Sequence, residues 1–438
     1  MPRIMNGPLR RALIVENPHK ELDQLLTEGG MDVVRIDKTP DEDELIRLLS
    51  EYKSQILFKR SQVPVTRRVL ESAPDLQVVQ LCAIGDDSVD KAAAAELGVL
   101  VFNDPVSNGR SVVELVVGHL VGLSRRLYES YDQGRAGVWD KSSTDRFEIQ
   151  GKVLGVYGLG NIGRAVAKVA EALGMKVRFF DSRAVAREVG VEMGWEAAAS
   201  PEALFAGADV VTVHLSATDV SGQTNRSRLH RELLFTLGSE RPESSPRLFI
   251  NLSRGFLHSA EDLLDAIAAG RVRRAAVDVF PKEPGKNGPG WENPYAHEPR
   301  VATTPHIGAA TQEAQPRIAR RVAQTQLDLS HHGAVRDCVF SPRTRISMTE
   351  DHQSGRAVLF VVHATTRGTK KALDDAIYEA GADNLRSAHD DLEPWGVAVD
   401  VSLLDRPLSE PQLAAIVEHT TRLTGDPNAV RLVRQVVA

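Results

Sequence analysis

The chain has 438 residues, 42% of them hydrophobic and 26% charged, with 53 basic against 59 acidic side chains and a formal net charge of −6. That is an ordinary globular composition, long enough for two or three domains that each bury a core. It excludes a general nucleic-acid surface, because no long basic run offsets the negative balance, and no stretch approaches the ~18 uninterrupted apolar residues of a membrane span. The opening MPRIMNGPLRR lacks the apolar centre of a secretory signal, so a cytoplasmic location is expected. Cys82 and Cys338 stand in different regions without ligand spacing, so neither a disulfide framework nor a metal site is expected.

Residues 11 to 60 alternate strand and helix patterns: ALIVE, a helix carrying Leu22, Leu25 and Leu26, VVRI, a helix from Asp41 to Leu49, and QILF. Pro64 to Ser72 reads as a helix, LQVVQLC as a buried strand, Ser88 to Leu97 as a helix and VLVFN as a strand. This alternation predicts a parallel α/β unit. The breaker-rich Asn103 to Arg110 (NDPVSNGR) then leads to one long, largely apolar helix predicted over Ser111 to Tyr131, expected to bridge two lobes.

Gly151 to Asp181 is the most informative stretch. Strand Val153 to Tyr157 runs into a glycine turn (Gly158, Gly160, Gly163), a helix with Val166, Val169, Ala170 and Leu173 on one face, and a second strand, Val177 to Phe180, closed by Asp181. Gly158 permits the tight turn, Gly160 lets backbone approach a pyrophosphate, and Gly163 lets the helix pack close to the sheet. The amides at the helix start and the helix dipole both favour an anion there. Asp181 is placed to accept both hydroxyls of an adenosine ribose and to repel a 2′-phosphate, which predicts NAD over NADP; Arg183 tempers that preference. A glycine turn alone is common in plain strand-to-helix connections, but here strand, helix, second strand and acidic tip are all in place.

Further strands are predicted at ADVVTVHL, RLFINLS and AAVDVF, with a helix over Ala260 to Ala269 and a polar loop from Gly238 to Pro246. Three residues follow strand ends: Arg254 in NLSRG, Glu283 in DVFPKEP and His306 in TPHIG. In a doubly wound sheet such positions face one crevice. Singly, each has a plain reading as a solvated charge, an exposed loop acid or a helix cap; together, beside a nucleotide turn, they point to chemistry. A helix from about Thr311 to Ser330 then resembles a return to the first lobe, which makes that domain discontinuous. From about Asp337 the polar SPRTRISMTEDHQSG suggests a linker, and the remaining strands and helices follow a βαββαβ order, the pattern of a small ferredoxin-like domain.

Residues 10 to 335 resemble the D-isomer-specific 2-hydroxyacid dehydrogenases, in which the Arg, Glu and His of these same motifs carry catalysis. The resemblance implies two intertwined doubly wound parallel-sheet α/β domains, a Rossmann NAD-binding domain over 109–302 and a flavodoxin-like substrate-binding domain over 10–108 and 303–335. A linker over 336–355 and a ferredoxin-like ACT domain over 356–438 complete the expected architecture. His306 would move the hydroxyl proton, since its unperturbed pKa is ~6.5. Glu283 would fix the imidazole tautomer and favour its protonated form, and Arg254 would grip the substrate carboxylate. NAD is expected to touch Gly158, Gly160, Asn161, Ile162, Gly163, Asp181, His214, Leu252, Ser253 and Asp278, although Asp278 is nearly as well read as a strand-end cap.

FNDPVSNGRSVVEL, AGVWDK, DVFPKEP and TPHIGAATQEAQ are similar to the branch of the family that acts on D-3-phosphoglycerate. The resemblance implies oxidation of that acid to 3-phosphohydroxypyruvate, the first step from glycolysis into serine. Lys59, Arg60, Ser61, Gly85, Asn108, Arg110 and Lys141 are the implied substrate contacts; a capped helix start explains Asn108 equally well, and a charged pair after a strand is often only solvated. Trp139 and Lys141 match positions that reach across a subunit interface in the family, which with the C-terminal domain points to a homotetramer. Two departures stand out: Asp86 and Asp87 occupy the loop Ile84 to Val89 that should offer amides to the carboxylate, and Gln62 stands where a further Arg helps bind phosphate. In the C-terminal domain His363 matches a serine-contacting position, while Thr365 and Asp383 or Asn384 depart from the pattern, leaving an L-serine effector and a purely assembling role both open. The remaining alternatives are another D-2-hydroxy acid, such as erythronate 4-phosphate or glycerate, and an NAD-sensing corepressor-like protein.

Overall fold

The computed structural model describes residues 2–219, 223–284, 287–339, 346–348 and 355–437. Most of the expected linker, 340–345 and 349–354, lies outside the described residues. The described chain forms two compact units, one of residues 108–314 and one of residues 1–107 with 315–438.

In the 108–314 unit the apolar runs at Val153–Tyr157, Lys176–Phe180, Glu196–Ala197, Val210–Val213, Leu248–Asn251, Arg274–Val277 and Val301–Thr303 form one seven-stranded parallel sheet. Numbered along the chain, their spatial order is 3-2-1-4-5-6-7, so the direction of winding reverses between Val153–Tyr157 and Val210–Val213. Ligands of doubly wound sheets bind at that reversal, and the glycine turn is there. The central strands are buried along their whole length, which explains why they read as continuous apolar runs and not as alternating ones.

Two expectations for this unit are corrected. The single helix predicted over Ser111 to Tyr131 is two, Gly109–Ser124 and Leu127–Arg135. Arg126 between them has a left-handed backbone, φ 54°, which a right-handed helix cannot carry through. Residues 303–314, expected in the substrate-binding domain, belong to this unit, because Val301–Thr303 pairs in register with Ala275–Val277.

The other unit holds two sheets. Asp32–Arg35, Arg11–Ile14, Ile56–Lys59, Val78–Leu81 and Leu100–Phe102 form a parallel sheet with chain order 2-1-3-4-5, the flavodoxin-like order. The second sheet follows the βαββαβ order read from the sequence, with Asn384–Leu392, Val397–Leu404, Ala357–Ala364 and Val430–Val437 side by side. Unforeseen in the sequence, Arg3–Asn6 joins this sheet in parallel, Arg3 opposite Leu432.

Alternation along Ala357–Ala364 explains how this sheet is held. Leu359 and Val361 pack with Leu373, Ile377, Leu413 and Ile416 of the two helices Thr369–Glu379 and Glu410–Thr424. Val358, Phe360 and Val362 point the other way, into the same core as Leu13, Ile56 and Val79 of the first sheet. The C-terminal domain therefore shares a core with the flavodoxin-like lobe. The helix Ala314–His332 adds Ile318, Val322 and Ala323 to that core.

Candidate functional site

The nucleotide turn is shaped by close approaches that only glycine allows. Gly158 has φ 94°, and a Cβ there would lie 2.6 Å from the carbonyl oxygen of His214; a Cβ on Gly163 would lie 2.1 Å from the carbonyl oxygen of Gly158. Gly160, by contrast, is open on the side where a Cβ would stand, with nothing nearer than Arg183 Nη2 at 3.9 Å. It caps the helix Asn161–Ala172, whose first-turn amides have no partner within the helix. This open cradle at a helix start fits a pyrophosphate. Asn161 is exposed and Ile162 partly so at its lip.

Asp181 sits at the tip of the second strand, 6% exposed, with Oδ2 accepting from the Leu159 amide at 2.8 Å. Arg183 lies along the carboxylate, Nε to Oδ1 at 3.0 Å and Nη2 to Oδ2 at 2.8 Å. Burial acts to raise the Asp181 pKa, but these hydrogen bonds hold it below its usual range. The residue expected to repel a 2′-phosphate is thus paired with a cation.

Around the reversal point His214 donates its amide to the Tyr157 carbonyl at 2.7 Å, and its ring meets Thr212 Oγ1 at 3.1 Å. Burial pushes that imidazole down to about 4, so it is neutral at physiological pH. Leu252 is buried in the apolar core of the unit, and Ser253 bonds the Asn251 side chain through both amide and hydroxyl.

His306 and Glu283 form a pair, Nδ1 to Oε2 at 2.7 Å, with the imidazole side chain 54% exposed and the carboxylate 32%. The carboxylate is itself fixed, its Oε1 accepting from the Phe280 amide at 2.9 Å. The hydrogen bond that His306 donates to Glu283 raises the His306 pKa against the effect of burial, and in return keeps Glu283 below its ordinary range although burial acts to raise it. The charge of Arg254 opposes the rise at His306 and adds to the lowering at Glu283, and its Nη1 donates to the Ser253 carbonyl at 2.9 Å. Gly255 makes the constellation possible: a Cβ there would lie 2.2 Å from the backbone of Phe280, so only glycine lets the Arg254 loop close on the loop that carries Glu283. His306 has φ 52°, a strained backbone for a residue with a side chain.

Asp278 holds that strain in place. Its Oδ1 accepts from Thr304 Oγ1 at 2.6 Å and the Ile307 amide at 2.9 Å, and its Oδ2 from the Gly308 amide at 2.9 Å. With 1% exposure it caps the His306 loop, the strand-end role weighed for it beside the cofactor contact.

In the other unit the expected phosphate contacts divide. Lys59 is 0% exposed, with Nζ donating to Ser88 Oγ at 2.6 Å and the Arg60 carbonyl at 3.0 Å, and Glu16 Oε2 lies 3.9 Å away. Burial pushes the ammonium down to about 8, and Glu16 opposes that shift. Lys59 therefore organises the loop from inside and presents no ammonium to solvent; Arg60 and Ser61 are exposed. Glu16 completes the arrangement, its Oε1 accepting the amides of Gln62 and Val63 at 2.6 and 2.7 Å. In the loop Ile84 to Val89, Gly85 is partly exposed and Asp86 Oδ1 meets Lys91 Nζ at 2.7 Å. The remaining expected contacts belong to the 108–314 unit, Asn108 among them although it was expected in the substrate-binding domain: Asn108 is buried with Oδ1 unpartnered and its side chain makes no capping bond, Arg110 pairs with Glu114 on the helix surface, and Lys141 is exposed near Trp139, itself 89% exposed.

Glu16, Ser88, Lys91, Thr304 and Gly255 escaped the sequence reading. Glu16 alone carried a usable signal, as a charged residue following the carboxyl end of a parallel strand. In the C-terminal domain His363 is 2% exposed, with Nδ1 against the Ala364 carbonyl at 2.7 Å and Nε2 against Asp400 at 2.6 Å. Both ring nitrogens of His363, the residue matched to a serine-contacting position, thus have partners within the domain.

Residues 117–308 match the family model for the NAD-binding domain of D-isomer-specific 2-hydroxyacid dehydrogenases. The chain is 32% identical over 369 residues to the D-3-phosphoglycerate dehydrogenase of Escherichia coli K12, spanning 84% of this chain and 85% of that protein. Among solved structures, a glyoxylate reductase from Paecilomyes thermophila superposes with a TM-score of 0.64 at 21% identity, over 75% of this chain and 98% of that one. A D-lactate dehydrogenase from Aquifex aeolicus, in complex with NAD and lactic acid, gives a TM-score of 0.58 at 22% identity over 72% of this chain and 93% of that one.

Proposed function

The chain belongs to the D-isomer-specific 2-hydroxyacid dehydrogenase family and binds NAD, and on that premise we propose that it oxidises D-3-phosphoglycerate to 3-phosphohydroxypyruvate, the step that opens serine biosynthesis. The observation that carries the chemistry is the 2.7 Å His306–Glu283 pair with the charge of Arg254 acting on both. NAD, when bound at the glycine cradle, supplies the hydride acceptor. His306 in its neutral form takes the proton of the substrate hydroxyl at Nε2, because Nδ1 is committed to Glu283. Glu283 then stabilises the imidazolium so formed. Arg254 holds the carboxylate and orients the hydroxyl-bearing carbon. Asp278 keeps the strained His306 backbone aimed, through Thr304, Ile307 and Gly308.

The phosphate half of the reading is supported by Arg60 and Ser61, exposed on a loop fixed by Glu16, and by the relatives that share the chain's length. One observation favours a second reading, an unphosphorylated D-2-hydroxy acid: the interior ammonium of Lys59 leaves the loop with one exposed cation fewer. Initial rates of NADH formation at alkaline pH with D-3-phosphoglycerate and D-glycerate decide between them. A strong preference for the phosphorylated acid is expected, and equal rates would overturn it. For the C-terminal domain we propose an assembling role over L-serine binding, since His363 is internally committed while the nine-residue edge strand Asn384–Leu392 is largely exposed and offers a row of backbone groups. Light scattering of the purified chain tests the proposed homotetramer, and a monomer would remove it.

A further inference from the structure

Where the strand Arg3–Asn6 and the C-terminal strand Val430–Val437 meet the flavodoxin-like lobe, they border a cleft of about 760 Å³. Arg3, Arg431 and Arg434 line it. Arg434 is 2% exposed, and its described bonds go to neutral acceptors: Nη1 to the Gln77 side-chain oxygen at 2.8 Å and Nη2 to the Gly7 carbonyl at 3.2 Å. Its Nε–H is buried with no partner, as are Arg431 Nε and Arg3 Nη1.

A buried guanidinium normally comes with a carboxylate, because desolvating an unpaired charge is costly. The other buried cations among the described residues follow that rule: Lys59 lies beside Glu16, and Arg274 meets Glu129 at 3.0 Å. Arg434 departs from it, and burial alone pushes its pKa down to about 10. Glu71, Asp75 and Glu96 also line the cleft; the charge of Asp75 acts on Arg3 and that of Arg431 on Glu96, but none of the three is bonded to Arg434. Glu71 and Glu96, each 53% exposed, pair with Arg67, and Asp75 pairs with Arg11 at 3.8 Å. The cleft thus has room, three lining arginines that each carry a buried nitrogen without an acceptor, and in Arg434 a buried positive charge that no carboxylate pairs with.

We infer that this cleft binds a small oxyanion, the carboxylate or phosphate of a soluble ligand, with Arg434 as its innermost contact and Arg431 and Arg3 beside it. It is a site apart from the glycine cradle and the His306 constellation. Because Arg434 also reaches Gln77 at the foot of the Val78–Leu81 strand, the anion would sit on the joint between the C-terminal sheet and the flavodoxin-like lobe.

Equilibrium dialysis of the full chain against labelled inorganic phosphate, and separately against labelled acetate, tests this with three variants. Arg434→Gln should abolish one class of bound anion, Arg431→Gln should weaken that class by about tenfold, the loss of one charge-assisted hydrogen bond, and Arg60→Gln should leave it in place. Retention with phosphate alone marks a phosphate ligand, and with acetate as well a carboxylate; both agree with the inference. No anion class in the wild type, or a class that survives Arg434→Gln and Arg431→Gln and disappears with Arg60→Gln, overturns it. If Arg434→Gln fails to fold, Arg431→Gln, at a partly exposed position, is sufficient to decide: an unweakened anion class there overturns the inference.

Discussion

In residues 108–314 the coupled acid and base stand at the surface, His306 with 54% and Glu283 with 32% of the side chain exposed. In the other unit Lys59, His363 and Asp400 are at most 2% exposed. An exposed pair can exchange a proton with a substrate and still be solvated in both states, so its perturbed pKa is available for chemistry. These buried groups have no such freedom and are held by internal partners: Ser88 and Glu16 for Lys59, Asp400 for His363. The same residue types are therefore open to substrate at the proposed site and internally committed at Lys59 and His363, and burial tells them apart.

The largest test of that contrast is His306→Ala. It should lower turnover by ~10²-fold or more while NAD still binds, as general acid–base groups contribute that much. Stopped-flow rates with a parallel fluorescence titration of NAD measure both; full activity would remove the acid–base assignment. Next comes Glu283→Gln, expected to cost about tenfold in rate and to move the pH profile. Oxidation needs neutral His306, so the rate rises with pH through its pKa, which Glu283 holds above the ordinary value. Without that carboxylate the rising limb should shift to lower pH. An unmoved limb would mean that the 2.7 Å contact does not set the titration.

The reach of the sequence follows the same division. The glycine turn was legible because backbone sterics dictate it: a Cβ 2.1 Å from a carbonyl oxygen at Gly163 leaves no other residue possible. The triad was legible because parallel strands deliver their following loops to one edge of the sheet. Side-chain direction was not legible. Lys59 ends a strand as a surface cation would, yet turns inward to Ser88, a loop residue 29 positions away. The break of the long helix at Arg126 was equally hidden, since a left-handed residue other than glycine carries no composition signal. The N-terminal strand was missed because its partner lies more than 400 positions along the chain, Arg3 opposite Leu432. The apolar run AVLFVVHA is a strand buried along its whole length, and nothing in the run itself shows that the flavodoxin-like lobe supplies one of its covered faces.

Asp181 and Arg183 give a smaller, signed effect. As paired, the arginine offsets the charge that disfavours a 2′-phosphate. Arg183→Ala should therefore strengthen discrimination against NADP by roughly fivefold, and Asp181→Ala should weaken NAD and relax the preference, with Kd values for the two cofactors as the readout. If Arg183→Ala improves NADP binding, the pair does not act at the ribose.

The smallest expected effect is at the loop that departs most from the family pattern. Asp86 would oppose an anionic substrate, but Lys91 neutralises it at 2.7 Å, and the same ammonium lies 5.6 Å from the ring centre of Trp395 in the C-terminal domain. With side-chain exposures of 10% and 22%, the Lys91–Asp86 pair is shielded enough to matter and solvated enough to be modest. Lys91→Ala should raise KM for the hydroxy acid about threefold with kcat unchanged, the shift should shrink as salt is added, and Asp86→Asn in the same chain should cancel it. Trp395→Ala should move KM less, because a cation–π contact at a partly solvated site is worth only ~0.5–1 kcal/mol. A KM indifferent to Lys91 would mean that the Asp86 carboxylate never faces the substrate, so its departure from the family pattern would be silent and the exposed Arg60 loop would bear the specificity alone.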